Sequence, residues 1–251
     1  MTTQDVKFPG LQGDALAARL DRPDGPVRGT VLFAHCFTCG KDLPAIARVS
    51  RALTGRGLAV LRVDFTGIGD SEGDFAGTSF STNVGDLLAA AEFLRRREQS
   101  PVLMVGHSLG GAAVLVAAAR VPECRTVATL AAPSEPASLV RLLVGSEEEL
   151  EREGSVEIAI GGRPFRVGKQ FFDDIRRQNL IERLPELGKP LLIMHGPEDR
   201  VVPVASAHAL FEAARHPKSL VALPGADHLL KRQEDAQYAA DLIATWADRY
   251  L

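Results

Sequence analysis

The chain has 251 residues, 45% of them hydrophobic and 24% charged, with a formal net charge of −3. That length buries a large core and suits one sizeable α/β domain better than two independent ones. The slight acidity offers no attraction to nucleic acid or to anionic membrane surfaces, and the arginine runs at 95–97 and 176–177 read as solvated faces. No apolar run reaches the ~20 residues of a membrane span, and the longest, at 110–119, reads as a buried helix. Residues 1–5 carry neither the basic start nor the apolar stretch of a secretory signal. Three cysteines, an odd number, suggest no disulfide framework. Together these features lead to the expectation of a cytoplasmic protein.

In chain order, short strands are expected at 6–8 and 15–21. The cluster Arg22-Pro23-Asp24-Gly25-Pro26 follows the second, suggesting a hairpin-like antiparallel opening to a sheet. Residues 30–34 form a continuous apolar run, as expected for a strand buried on both faces, and similar runs recur at 58–63, 102–105, 127–131, 191–194 and 219–223. Segments with helical spacing separate most of them, at 43–56, 84–97, 110–121 and 205–214, and a last amphipathic helix is expected at about 234–250. The alternation predicts a mainly parallel sheet of about eight strands with helices on both faces, and a site outside the carboxyl ends of the strands.

Residues 134–188 break this rhythm. They hold an acidic helical stretch at 147–151 and alternating residues at 156–167 around Gly161-Gly162, a hairpin signal. A small cap insertion over the site is expected here, with residues 1–133 and 189–251 forming the core. A merely decorative surface insertion is the alternative.

The most informative stretch is residues 102–111, which read as strand, Gly106-His107-Ser108-Leu109-Gly110, then an Ala-rich helix. A serine on a sharp strand-to-helix turn needs flanking glycines, because side chains there would meet neighbouring backbone. The following helix N-terminus favours developing negative charge. Ser108 is therefore the candidate nucleophile, against the plainer reading of an N-cap serine.

A serine hydroxyl needs a base and a group that orients the base. Of six histidines, His228 lies in a loop after the strand at 219–223 and before the final helix, a position from which it can reach the turn. His35 and His195 end strands and read as loop-holding residues, His107 belongs to the turn itself, and His208 and His216 sit in or beside a helix. The acid is expected in the loop after the 191–194 strand, where Asp199 is the candidate, with Glu198 and Asp227 as rivals. Two donors should hold an oxyanion. One is the amide of Leu109, and the other comes from the loop at 35–42.

Through the ordered motifs His35-Cys36-Phe37, residues 64–71, 106–110, and the Asp199 and His228 loops, nearly the whole chain resembles an α/β-hydrolase. Within that superfamily it is most similar to the serine-hydrolase domain that, in some bacterial proteins, precedes an OsmC-like peroxide-reductase domain; His35-Cys36-Phe37-Thr38-Cys39 carries that closer match. The resemblance implies the α/β-hydrolase fold and the Phe37 amide as the second oxyanion donor, although the commoner pattern has Gly where Cys36 stands. With Leu251 following the last hydrolase helix, no OsmC-like domain is expected.

Asp64 reads as shaping a structural loop. Cys36 and Cys39 invite a redox or metal reading. No further ligands at suitable spacing support a metal, and a redox switch on the loop is a hypothesis. Cys124 reads as a buried small apolar residue. The expected activity is hydrolysis of small to medium carboxylic esters through an acyl-enzyme, with no cofactor, no metal and a small-molecule partner. The same groups suit amide, peptide or thioester cleavage or perhydrolysis, and a binding or sensing module with little turnover is the alternative of another class.

Overall fold

The computed structural model describes residues 1–36, 39–138, 147–160 and 163–251. The described strands are β1 (Thr2–Pro9), β2 (Ala15–Arg22), β3 (Gly29–Ala34), β4 (Leu58–Val63), β5 (Pro101–His107), β6 (Thr126–Leu130), β7 (Ser155–Ile160), β8 (Arg163–Gly168), β9 (Leu191–His195) and β10 (Lys218–Ala222). The helices are α1 (Pro44–Gly55), α2 (Phe80–Arg96), α3 (Leu109–Ala118), α4 (Glu147–Glu153), α5 (Lys169–Arg176), α6 (Leu180–Arg183), α7 (Ala205–Ala213) and α8 (Gln233–Ala247). No helix among the described residues is long and apolar enough to cross a membrane.

Among the described residues, eight strands form one sheet in the order β1-β2-β4-β3-β5-β6-β9-β10. β1 and β2 pair antiparallel from Thr2↔Arg22 to Pro9↔Ala15, β2 pairs antiparallel with β4, and the other neighbours are parallel. The antiparallel opening is present, but its turn is made at 10–14, where the Gly10 amide donates to the Asp14 carbonyl at 2.8 Å. The Pro/Gly cluster at 22–26 instead ends β2 and leads to β3.

The continuous apolar runs have a direct consequence. Successive side chains of a strand point to opposite faces, so β3 feeds two cores. Val31 and Phe33 pack with Val49 and Leu53 of α1 and with Ala236, Ala240 and Ile243 of α8. Leu32 and Ala34 pack on the other side with Leu87 and Leu94 of α2 and with α3. Phe33, Leu53 and Leu87 are at most 1% exposed, and each such side chain contributes about 1.5–3 kcal/mol by leaving water. α3 is apolar all round and is correspondingly enclosed nearly all round.

Helix α2 starts four residues before the expected 84 because Ser79 caps it. Its Oγ accepts from the Thr82 amide at 3.1 Å while Thr82 Oγ1 accepts from the Ser79 amide at 3.2 Å, a reciprocal capping box. In the 134–188 region, β7 and β8 form an antiparallel hairpin with Ile160 opposite Arg163; the Gly161-Gly162 pair lies outside the described residues. α5 was not foreseen: in a helix of eight residues, its buried Phe171, Phe172 and Ile175 are too few to show a period. Phe75 packs its ring against Phe165 at 5.9 Å and Phe171 at 6.3 Å, joining this region to the main core.

Candidate active site

β3 and β5 are neighbours, with Ala34 opposite Gly106, yet the chain leaves β3 towards β4 on one side and leaves β5 towards β6 on the other. This reversal opens a crevice at the carboxyl ends of the two strands, the place where open α/β sheets put their ligands. His35 follows β3 and Ser108 follows β5 at this point, side by side.

Ser108 has φ 54° and ψ −125°, a strained conformation for a residue with a Cβ, typically worth 1–3 kcal/mol. Its surroundings leave no alternative. A Cβ on Gly106 would meet the Gly110 carbonyl oxygen and lie 2.5 Å from Gly111 Cα, and a Cβ on Gly110 would strike the His35 carbonyl oxygen and lie 2.7 Å from that of Ala34. The turn therefore presses α3 against the end of β3, and the Ser108 amide donates to the Leu130 carbonyl at 2.8 Å. Leu109 is the first residue of α3, so its amide has no acceptor within the helix.

The structure brings the three distant side chains together. His228 Nε2 lies 3.1 Å from Ser108 Oγ, and His228 Nδ1 donates to Asp199 Oδ2 at 2.7 Å. That second bond sets the tautomer: the proton is on Nδ1 and the lone pair of Nε2 faces the hydroxyl. Asp199 Oδ1 accepts the amides of Val201 at 2.8 Å and Val202 at 3.0 Å. Burial alone would push the Asp199 carboxyl up. The His195 and His228 rings and the Val202 amide outweigh it and hold the group well below the usual carboxylate range. The rival acids are turned elsewhere: Glu198 accepts the Gly225 amide at 3.0 Å, and Asp227 accepts the Lys231 amide at 3.0 Å.

Three further buried histidines each hold one loop of this arrangement by donating to a backbone carbonyl. His35 Nδ1 donates to Cys36 at 2.7 Å, His107 Nε2 to His228 at 2.6 Å, and His195 Nε2 to Val202 at 2.9 Å. Burial, with the neighbouring His228, pushes His107 down to about 3, so it is neutral at ordinary pH. Nothing in the sequence beyond its place next to Ser108 pointed to His107 as a brace for the His228 loop.

Asp64 anchors the far end of the 35–42 loop. Its carboxylate accepts the Lys41 amide at 2.5 Å and Lys41 Nζ at 2.7 Å, and Lys41 Nζ also reaches Asp70 at 2.6 Å. Burial would lower the Lys41 pKa, but these two carboxylates raise it. Phe37 lies outside the described residues. Cys36 and Cys39 form a disulfide with Cα atoms 5.4 Å apart, and Cys124 is a buried free thiol. An odd cysteine count thus conceals one bridge, because the loop brings two cysteines close while the third sits in the core. Among the described residues no three metal-binding side chains converge.

The chain matches the family described as serine aminopeptidase, S33, over residues 25–146. It is 44% identical to the esterase domain of a Rhodothermus marinus protein, covering 100% of this chain and 99% of that one at a TM-score of 0.82. A monoacylglycerol lipase of Mycolicibacterium smegmatis is 25% identical over 100% of this chain and 99% of its own. The ferulic acid complex of Est1E from Butyrivibrio proteoclasticus, 23% identical over 98% of each chain with a TM-score of 0.85, has the same fold. With its sheet order, strained serine turn and these similarities, the chain belongs to the α/β-hydrolase superfamily, where it groups with the lipase- and esterase-like serine hydrolases.

Proposed function

We propose that the protein hydrolyses carboxylic esters of small to medium acyl compounds, with Ser108, His228 and Asp199 as its catalytic triad. The observation that carries this reading is the continuous line from Ser108 Oγ to His228 Nε2 at 3.1 Å and from His228 Nδ1 to Asp199 Oδ2 at 2.7 Å. Ser108 Oγ attacks the ester carbonyl while His228 Nε2 takes its proton. Asp199 keeps the ring oriented and stabilises it once charged. The amides of Leu109 and Phe37 hold the oxyanion, the alcohol leaves with the proton from His228, and water activated by the same base releases the acid.

Residues 134–188 form the cap of this site. Phe171 and Phe172 are 2% and 0% exposed and belong to the main hydrophobic core, so the acyl pocket draws on other residues. The ester reading is supported by the names of the relatives, an esterase domain and a monoacylglycerol lipase. The matched family's description favours peptides as the second class of substrate.

A fluorophosphonate probe and a panel of p-nitrophenyl esters graded by acyl length, run beside peptide p-nitroanilides, test the proposal. Wild-type protein should be labelled within minutes and turn over esters, and Ser108→Ala should do neither. Ester turnover that survives in Ser108→Ala, or a preference for p-nitroanilides, would overturn it.

A further inference from the structure

The Cys36–Cys39 bridge is not used by the proposed reaction, yet it lies where the reaction would feel it. Cys36 follows His35, whose carbonyl oxygen bounds the space beside Gly110 at the start of the nucleophile helix. The Cys36 carbonyl accepts His35 Nδ1 at 2.7 Å and the Cys39 amide at 3.2 Å. Two residues on, Lys41 is pinned by Asp64 through both its amide and its ammonium. Cys36 and Lys41 are thus held by groups that have no redox chemistry, and Cys36 is joined to Cys39 by one that has.

The two cysteines differ in exposure. Cys36 is buried, 5% exposed, whereas Cys39 is half-buried. The third cysteine cannot compete: Cys124 is 2% exposed, and burial pushes its thiol up to about 11, leaving it little thiolate at neutral pH.

We propose that Cys36 and Cys39 form a thiol–disulfide exchange site, whose substrate is a small or protein-borne dithiol, and that its oxidised state holds the hydrolase site in its more active form. A thiolate of the dithiol attacks Cys39 Sγ, the S–S bond breaks, and Cys36 leaves as a thiolate that takes up a proton. The second thiol of the reductant then attacks its own sulfur of the mixed disulfide and releases Cys39. Two electrons and two protons pass from the dithiol, which becomes a disulfide, to the two cysteines. Reduction removes the covalent tie between Cys36 and Cys39, the two residues that flank the stretch containing Phe37, the proposed oxyanion donor. The rate effect therefore rests on the ester-hydrolase reading, whereas the exchange chemistry stands without it.

The test uses folded protein, dithiothreitol as the dithiol, iodoacetamide trapping with peptide mass spectrometry, and ester turnover in parallel. Before reduction neither Cys36 nor Cys39 should be alkylated. After reduction both should be, with Cys124 blocked throughout, and turnover should fall about tenfold, short of the 10²–10³ that follows outright loss of an oxyanion donor. Reoxidation with trans-4,5-dihydroxy-1,2-dithiane, the disulfide of the same reagent, should restore it. Cys39→Ser and the double variant Cys36→Ser/Cys39→Ser should run at the reduced rate whatever the reductant, while Cys124→Ser should respond like wild type. Alkylation of both cysteines without reductant, or turnover equal in the two states, overturns the proposal. Should fluorophosphonate fail to label Ser108, the ester reading falls separately, and the alkylation pattern still decides the exchange site.

Discussion

His107 donates from Nε2 to the carbonyl oxygen of His228 across 2.6 Å, so the residue beside Ser108 holds the loop that carries the second imidazole. Both residues are buried and their rings lie 5.1 Å apart. Ser108 and His228 are 120 positions apart in the sequence, and the His107 bond holds the backbone of His228 while Asp199 holds its ring. Replacing His107 by Ala should lower kcat about tenfold with KM little changed, equivalent to ~1.4 kcal/mol in the barrier. Because His107 is neutral down to about pH 3, the midpoint of the acid limb should stay where it is in wild type. A shifted midpoint, measured in a kcat–pH profile, would mean that His107 titrates in the reaction instead of bracing it.

Asp199→Asn should leave the fold intact and lower kcat by about 10³–10⁴, since an amide no longer favours the Nδ1–H tautomer. The carboxyl is held below its ordinary value in the folded state. Its stabilisation is therefore fully present above the unfolded value of about 3.9 and is lost as pH falls through the lower, folded value. Thermal unfolding should show wild type more stable than Asp199→Asn at pH 7, with the gap closing as the pH drops below about 4. A gap that widened in acid would contradict the direction of the shift.

Gly110→Ala should cost about 3 kcal/mol or more, because the added methyl meets the backbone oxygens of His35 and Ala34, which cannot move without displacing β3. Gly55→Ala in α1 is the contrast: nothing lies within 4 Å of its Cβ, so replacing a helical glycine should gain about 0.5–1 kcal/mol. Urea unfolding midpoints of the two variants would settle the comparison.

Lys41 shares its ammonium between two carboxylates of unequal burial. The Asp64 side chain is 0% exposed and that of Asp70 73%. Asp64→Ala removes the main partner of a buried cation and frees the loop's anchor, with an expected cost of about 3–5 kcal/mol and reduced turnover. Asp70→Ala removes a solvated partner and should leave stability nearly unchanged. Equal losses in the two variants, read from chemical denaturation, would show that burial is not what distinguishes them.

Much of the fold was legible because it rests on local rules. Continuous apolar runs marked the sheet strands, and the glycines around Ser108 marked a turn that no larger residue tolerates. Chain order after β9 and β10 pointed to Asp199 and His228, which the fold does bring beside Ser108. The start of α2 was misplaced because its first turn is held by a Ser79–Thr82 side-chain box and not by apolar spacing. α5 was missed because its apolar residues acquire meaning only against Phe75 and the β7–β8 hairpin.

What the sequence by itself determined is the strained turn at Ser108 before an apolar helix, since that follows from residue size and spacing alone. Only the tertiary structure decided how that site is supported: which histidine faces the hydroxyl, which ones brace loops, that Asp64 clamps Lys41, and that Cys36 and Cys39 are joined. The physical reason is range. Periodicity and turn chemistry act over a few residues, whereas hydrogen bonds such as His107 to His228 join positions 121 residues apart, and these exist only once the sheet has set the carboxyl ends of its strands side by side.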